Sequence, residues 1–144
     1  MAERMQETMP EVRDGWVPVD AGFHLVVLFH RNRPQVGQGG KIVEQPEIIR
    51  PTIVVGVPGR DYQVLRLDPF TVGGHYHVMP TQQDTPIPFM PRDGQTYLDA
   101  ALEYFEEPDR FRELLGQTDQ AQLAAKVVDD DLMRVARQIR QIVV

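Results

Sequence analysis

Five short runs of β-branched and aromatic residues, separated by glycines and prolines, fill the first half of this chain. No helix-forming stretch lies between them, so the crossovers that a parallel sheet needs have no sequence to form them. The dipeptide Pro58-Gly59 is typical of a tight turn and indicates a hairpin between two of the runs. The sequence therefore predicts a small antiparallel sheet with strands at residues 16–20, 23–30, 48–57, 62–68 and 72–78.

The sequence after the predicted sheet indicates helices. Asp93 is a suitable N-cap for a first helix, in which apolar residues recur at spacings of three and four as far as Phe105. Pro108 suits the first turn of a second helix, and Gly116 suits its end. We therefore expect an α+β fold, with a small antiparallel β-sheet followed by two short helices and a long C-terminal oligomerisation helix. The expected parts are an N-terminal tail at 1–14, a head domain at 15–116 and a coiled-coil-like helix at 117–144.

The last 24 residues contain a regular apolar seam. Its members are separated alternately by four and three positions, which is the a/d pattern of a coiled coil. Isoleucine and valine at these positions favour a trimer or tetramer over a dimer. We therefore expect a homo-oligomer held together by this helix, although a helix packed on its own domain needs a similar stripe. The seam consists of Ala121, Ala125, Val128, Leu132, Val135, Ile139 and Ile142.

A proline-rich arm over residues 79–92 connects the predicted sheet to the helices. Prolines restrict the unfolded chain, so an extended arm loses little entropy when it docks. One interpretation is that the arm covers its own sheet. The other is that it binds a partner through Ile87, Phe89 and Met90, with Phe89 as the anchor.

His75 and His77 are the residues best placed to bind a metal ion. Alternate residues of a strand share a face, so both imidazoles can reach one ion while Tyr76 points the other way. Asp68 or Asp84 would supply an oxygen ligand. The alternative is that the histidines pack or form hydrogen bonds at the end of the last strand, after a Gly-Gly bend that marks a bulge or a close backbone approach.

The segment from Asp68 to Pro80 has a His-Tyr-His core and is followed by an amphipathic helix. It resembles a domain of small prokaryotic proteins in which an aspartate, a His-Tyr-His core and a proline precede a short helix pair. The resemblance covers about residues 66–115. It implies a shared domain, and it brings no known activity or catalytic residue with it.

Composition excludes several classes of function. The chain has no cysteine and no serine, which excludes thiolate metal sites and serine nucleophiles. A net charge of −6 argues against a nucleic-acid-coating surface. The longest apolar run, residues 25–29, is far shorter than the roughly 20 residues that span a membrane. We expect no membrane insertion and a cytoplasmic location.

Two functions remain open. The first is a non-catalytic accessory or scaffold subunit without a cofactor, which self-associates through the seam and binds a larger enzyme or protein complex through its acidic head. The alternative is a small metal- or ligand-binding β-domain, or a metalloenzyme, with a divalent transition metal at His75 and His77. No catalytic residue is identified, and whether the chain is an enzyme stays open.

Overall fold

The computed structural model describes residues 16–21, 26–30, 35–36, 42–43, 51–57, 62–70, 73–80 and 85–143. The described elements combine strands with helices, so the chain is α+β, as predicted. Among the helices, the segment Ala121–Lys126 is a 3₁₀ helix. The strands are β1 (Trp16–Asp20), β2 (Val26–His30), β3 (Gln35–Val36), β4 (Ile42–Val43), β5 (Thr52–Gly56), β6 (Leu65–Asp68), β7 (His75–Val78) and β8 (Ile87–Pro88), and the α-helices are α1 (Tyr97–Glu106), α2 (Pro108–Leu115) and α3 (Asp129–Val143).

Six strands form one antiparallel sheet in the order β1-β2-β5-β6-β7-β8. All five predicted strands are confirmed, with β1 at its predicted bounds and each of the other four within its predicted range in the described part of the chain. Strands β5 and β6 pair as the predicted hairpin requires, whereas the Pro58-Gly59 turn itself lies outside the described residues. The separate β3–β4 pair and β8 were not predicted, because each strand has only two residues and so shows no alternation.

The central strands have one apolar face and one partly polar face. Successive side chains of a strand point to opposite sides of the sheet. On one side, Ile53, Leu65 and Leu67 are buried in the core that the sheet shares with the helices. On the other side, the register places Arg66 opposite His77 and Asp68 opposite His75.

Helix α1 begins three residues later than the sequence predicts. Thr96, rather than Asp93, is the N-cap, and it forms a capping box with Asp99. The Thr96 side chain accepts a hydrogen bond from the Asp99 N–H at 3.0 Å, and the Asp99 carboxylate accepts one from the Thr96 N–H at 3.0 Å. The prediction of Asp93 is wrong because this reciprocal pair satisfies two helix-end donors at once. Asp93 lies instead in a turn with Gly94, whose φ of 84° favours glycine.

Helix α2 follows its predicted limits. Pro108 is its first residue, and Gly116 is its C-cap. Phe111, Leu114 and Leu115 are buried, as the pattern predicts, and the Phe111 ring lies 5.3 Å from that of Phe105 in α1. Packing of α1 and α2 on the sheet therefore forms the main core.

In place of one helix over residues 117–144, the structure has the 3₁₀ helix and then α3. The chain between them is extended at Val127, where φ is −75° and ψ is 131°. Arg112 holds this break, because its Nη2 donates to the Val127 carbonyl at 2.8 Å and it also pairs with Asp129. Three consecutive aspartates then occupy the first turn of α3, where the helix dipole favours negative charge.

The structure divides the predicted seam between these two helices. Leu132, Val135 and Ile139 are buried in the core of the same chain. Ala121, Ala125 and Val128 are exposed, and the side chain of Ile142 lies outside the described part. The stripe on α3 is therefore used within the chain, and self-association through this segment stays a prediction. Among the described residues, no helix is long and apolar enough to cross a membrane.

Because α3 is buried in the core of its own chain, shortening the Leu132 side chain should lower the free energy of unfolding strongly and independently of protein concentration. Leu132→Ala should lower the free energy of unfolding by about 2–5 kcal/mol, because it leaves a cavity among core side chains. The control Met133→Ala changes an exposed side chain of the same helix and should cost less than about 1 kcal/mol. Urea unfolding at two protein concentrations measures both. A midpoint that rises with concentration would place Leu132 at an interface between copies instead.

The contact between α1 and α3 predicts that Asp99 stabilises the fold in a pH-dependent way. Its hydrogen bonds with Arg140 and with the Thr96 N–H hold the pKa of Asp99 below its ordinary value. The charged form therefore stabilises the fold above about pH 4, and this contribution is lost as pH falls through the lowered pKa. Asp99→Asn should cost about 1 kcal/mol at pH 7.

The same unfolding measurement between pH 7 and pH 2.5 checks the sign. The difference between wild type and Asp99→Asn should shrink in acid, while Asp93→Asn, in the exposed turn, should change little at any pH. A difference that is the same at both ends of this range would mean that the charge of Asp99 contributes nothing.

Candidate metal centre

Strands β6 and β7 bring a carboxylate and two imidazoles together on one face of the sheet. Asp68 is the last residue of β6, and its partner across the ladder is His75, the first residue of β7. His77 lies two residues further along β7, so it shares the face of His75. The structure brings the predicted pair together, with the His75 and His77 rings 5.0 Å apart between centroids, while metal binding by them stays a prediction.

The three side chains have the spacing of metal ligands. Asp68 Oδ2 lies 3.1 Å from His75 Nε2 and 3.7 Å from His77 Nε2. One ligand atom from each of the three residues lies within 4.8 Å of the others. Metal bonds of about 2.0–2.2 Å place neighbouring ligand atoms roughly 3.0–3.5 Å apart. Asp68 is thus the oxygen donor that the structure adds to the pair, whereas the other candidate, Asp84, lies outside the described residues.

Backbone groups before β7 orient the first histidine. His75 Nδ1 lies 2.9 Å from the carbonyl oxygen of Gly73, which can only accept, so Nδ1 donates and Nε2 faces Asp68. Gly73 has a φ of 73°, which favours glycine. At Gly74 an added Cβ would lie 2.5 Å from the Tyr97 ring, so of the two predicted roles of the Gly-Gly bend, a bulge or a close approach, the structure has a close approach here.

The site is closed around the carboxylate and more open at the histidines. The exposed fraction of the side chain is 1% for Asp68, 11% for His77 and 24% for His75. Burial alone would raise the pKa of Asp68, but the hydrogen bond with His75 and the charge of Arg66 outweigh it and hold that pKa below its ordinary value. The hydrogen bond with Asp68 in turn raises the pKa of His75. A buried anion here is therefore stabilised by cations around it.

Arg66 is the site residue that sequence reasoning did not single out. Its Nε donates to Asp68 Oδ1 at 3.2 Å, while Oδ2 of the same carboxylate faces the histidines. The signal was available, since residues 66 and 68 alternate onto one face of a strand. An arginine two positions from an aspartate on a strand is also a common surface pattern, so it does not by itself indicate a site.

The described part of the proline-rich arm, residues 85–92, lies on its own sheet. Phe89 is buried, and its ring lies 5.3 Å from Tyr76 and 6.3 Å from Tyr104 between centroids. The arm also supplies β8, which pairs with β7 through His75 and Pro88. Phe89 thus anchors the arm within the chain. Ile87 and Met90 are exposed, Met90 by 84%, and partner binding through them stays a prediction.

The contacts of Asp68 predict that it stabilises the fold even without a metal. Asp68→Asn should lower the free energy of unfolding in the presence of a chelator by about 2–3 kcal/mol, because a neutral amide leaves Arg66 and His75 without their anion. The control Asp93→Asn makes the same chemical change in an exposed turn and should cost less than about 0.5 kcal/mol. Equal stability of the two variants would contradict this account of the site.

Comparison with known proteins gives no assignment for this chain. No protein-family model matches it, and neither a curated protein nor a solved structure shows significant similarity. Any function of the site therefore has to be argued from its own residues and geometry.

Proposed function

We propose that this protein binds one divalent transition-metal ion through Asp68, His75 and His77. The observation that carries the proposal is the convergence of their three ligand atoms within 4.8 Å on one hairpin. Two imidazoles and one carboxylate suit Zn²⁺, Fe²⁺, Mn²⁺ and Ni²⁺, and such a set on one side of an ion is found in non-haem iron sites. The absence of cysteine from the chain is consistent with this nitrogen and oxygen donor set.

The hairpin supports metal binding because it holds the ligands in place beforehand. Ladder hydrogen bonds fix the register of Asp68 against His75, so little backbone ordering is left for the binding step. The Gly73 carbonyl fixes the ring of His75 through Nδ1, which is the outer contact that metal-bound histidines usually make. A metal cation would also take over part of the charge compensation of the buried Asp68 carboxylate.

The three protein ligands found in the described part of the chain leave room for further ligands on the ion. Structural zinc sites use four protein ligands, whereas sites with three keep at least one position for water or a substrate. The partly exposed His75 and Arg66 side chains give solvent a route to this position. Three donors from the described residues therefore favour a site that binds a small molecule over a site that only stabilises the fold.

The accessory-subunit function has less support and stays a prediction. Its main support was an apolar seam for self-association, and Leu132, Val135 and Ile139 of that seam are buried in the core of their own chain. The exposed Ile87 and Met90 side chains do not by themselves specify a partner.

Metal binding is tested by elemental analysis of the purified protein and by calorimetric titration with Zn²⁺. We expect about one ion per chain, and at least about 100-fold weaker binding in the double variant His75→Ala/His77→Ala, because two of three ligands are lost. Zn²⁺ at 100 times its Kd should stabilise the wild type by about 2.7 kcal/mol and the double variant by much less.

Tyr76→Phe is the matched control. Tyr76 lies between the two histidines on the same strand, and its side chain packs against the core on the opposite face. This variant should bind Zn²⁺ as the wild type does, and circular dichroism confirms the folding of each variant. A wild type that binds no metal at micromolar Zn²⁺, or a double variant that binds equally well, would refute the proposal.

A further inference from the structure

We propose that the metal-loaded site binds a small oxyanion, a carboxylate or a phosphate, held between the metal ion and the Arg66 guanidinium. This inference rests on the proposed function, and it names the ligand class that the open metal positions would take. It is carried by Arg66, whose guanidinium lies beside the three ligands and, among the described residues, contacts Asp68 through Nε alone.

Arg66 lies beside the three ligands on the same face of the sheet. It is the ladder partner of His77 and stands two residues before Asp68 on β6. The Asp68 carboxylate is shared, with Oδ1 on Arg66 Nε at 3.2 Å and Oδ2 towards the two histidines. An ion bound to Oδ2 of Asp68 would therefore lie close to the Arg66 guanidinium, which contacts Oδ1 of the same carboxylate.

The guanidinium has hydrogen-bond donors left for a ligand. Arginine carries five N–H groups, and within the described part of the chain Arg66 contacts an acceptor through Nε alone. The two terminal nitrogens keep four donors in the planar fork that matches the paired oxygens of a carboxylate or phosphate. The side chain is 17% exposed, so a ligand can reach it from solvent.

The charge balance of the loaded site selects an anion. The metal ion and Arg66 together carry more positive charge than Asp68 carries negative, and neutral histidine ligands do not change this. The whole chain has a net charge of −6, so attraction of an anion would be a local property of this site. One oxygen of the ligand would bind the ion, and a second would accept hydrogen bonds from Arg66.

The test uses the full chain loaded with Co²⁺, whose visible absorption reports changes in its ligands. Acetate and inorganic phosphate are titrated separately, and the anion with the lower Kd identifies the class. We expect either or both to change the Co²⁺ spectrum of the wild type. In Arg66→Gln the Kd of the anion should rise at least about tenfold. Because Arg66 also holds the ligand Asp68, the Co²⁺ Kd is measured for each variant, and anions are titrated only into Co²⁺-saturated protein.

Arg66→Lys is the second variant, and it keeps the charge while losing the fork. Its anion Kd should lie between those of the wild type and Arg66→Gln. If the wild type binds Co²⁺ but its spectrum responds to neither anion, or if both variants bind the anion as tightly as the wild type, the inference is wrong and the metal site stands. If the wild type binds no Co²⁺, the proposed function fails and the inference fails with it.

Discussion

The alternation of side chains along β6 and β7 is the constraint on which the rest of the structure depends. The side chains of Leu65, Leu67 and Tyr76 point to one side of the sheet and pack against the helices. Asp68 and His75, at neighbouring positions of the same strands, point to the other side of the sheet and form a polar cluster with Arg66 and His77. Because the period is two, a register slip of one residue would place charged groups in the core. The core thus holds the register that the site requires.

Much of the sheet could be predicted from the sequence because each strand carries its own local pattern. The position of His75 and His77 on one face followed from the same rule, since it depends only on positions along one strand. The addition of Asp68 and Arg66 depends on how β6 aligns with β7. That register is set by contacts between distant residues, and no pattern within either strand contains it. The sequence therefore predicted half of the candidate site and left Asp68 as one of two alternatives.

The C-terminal segment shows the opposite case, in which a regular pattern does not determine what it packs against. Spacings of four and three are needed both by a coiled coil and by a helix on its own domain. The stripe of α3 faces the core formed by α1 and α2. The spacing also continues across Val127, where the backbone is extended. The periodicity of apolar residues does not reveal this break. The hydrogen bond that stabilises it comes from Arg112, more than a dozen residues earlier in the chain.

Strand β7 has a consequence for how such a protein can diversify. Tyr76 is surrounded by Phe89 and Tyr104, whereas its neighbours His75 and His77 contact mainly the polar cluster. Exchange of the outer two residues for other donor types would alter the chemistry of the face while leaving aromatic packing in place. Exchange of the middle residue would disturb the anchoring of the arm. The hairpin therefore places two positions that set the chemistry of the face and one position that holds the packing within three consecutive residues.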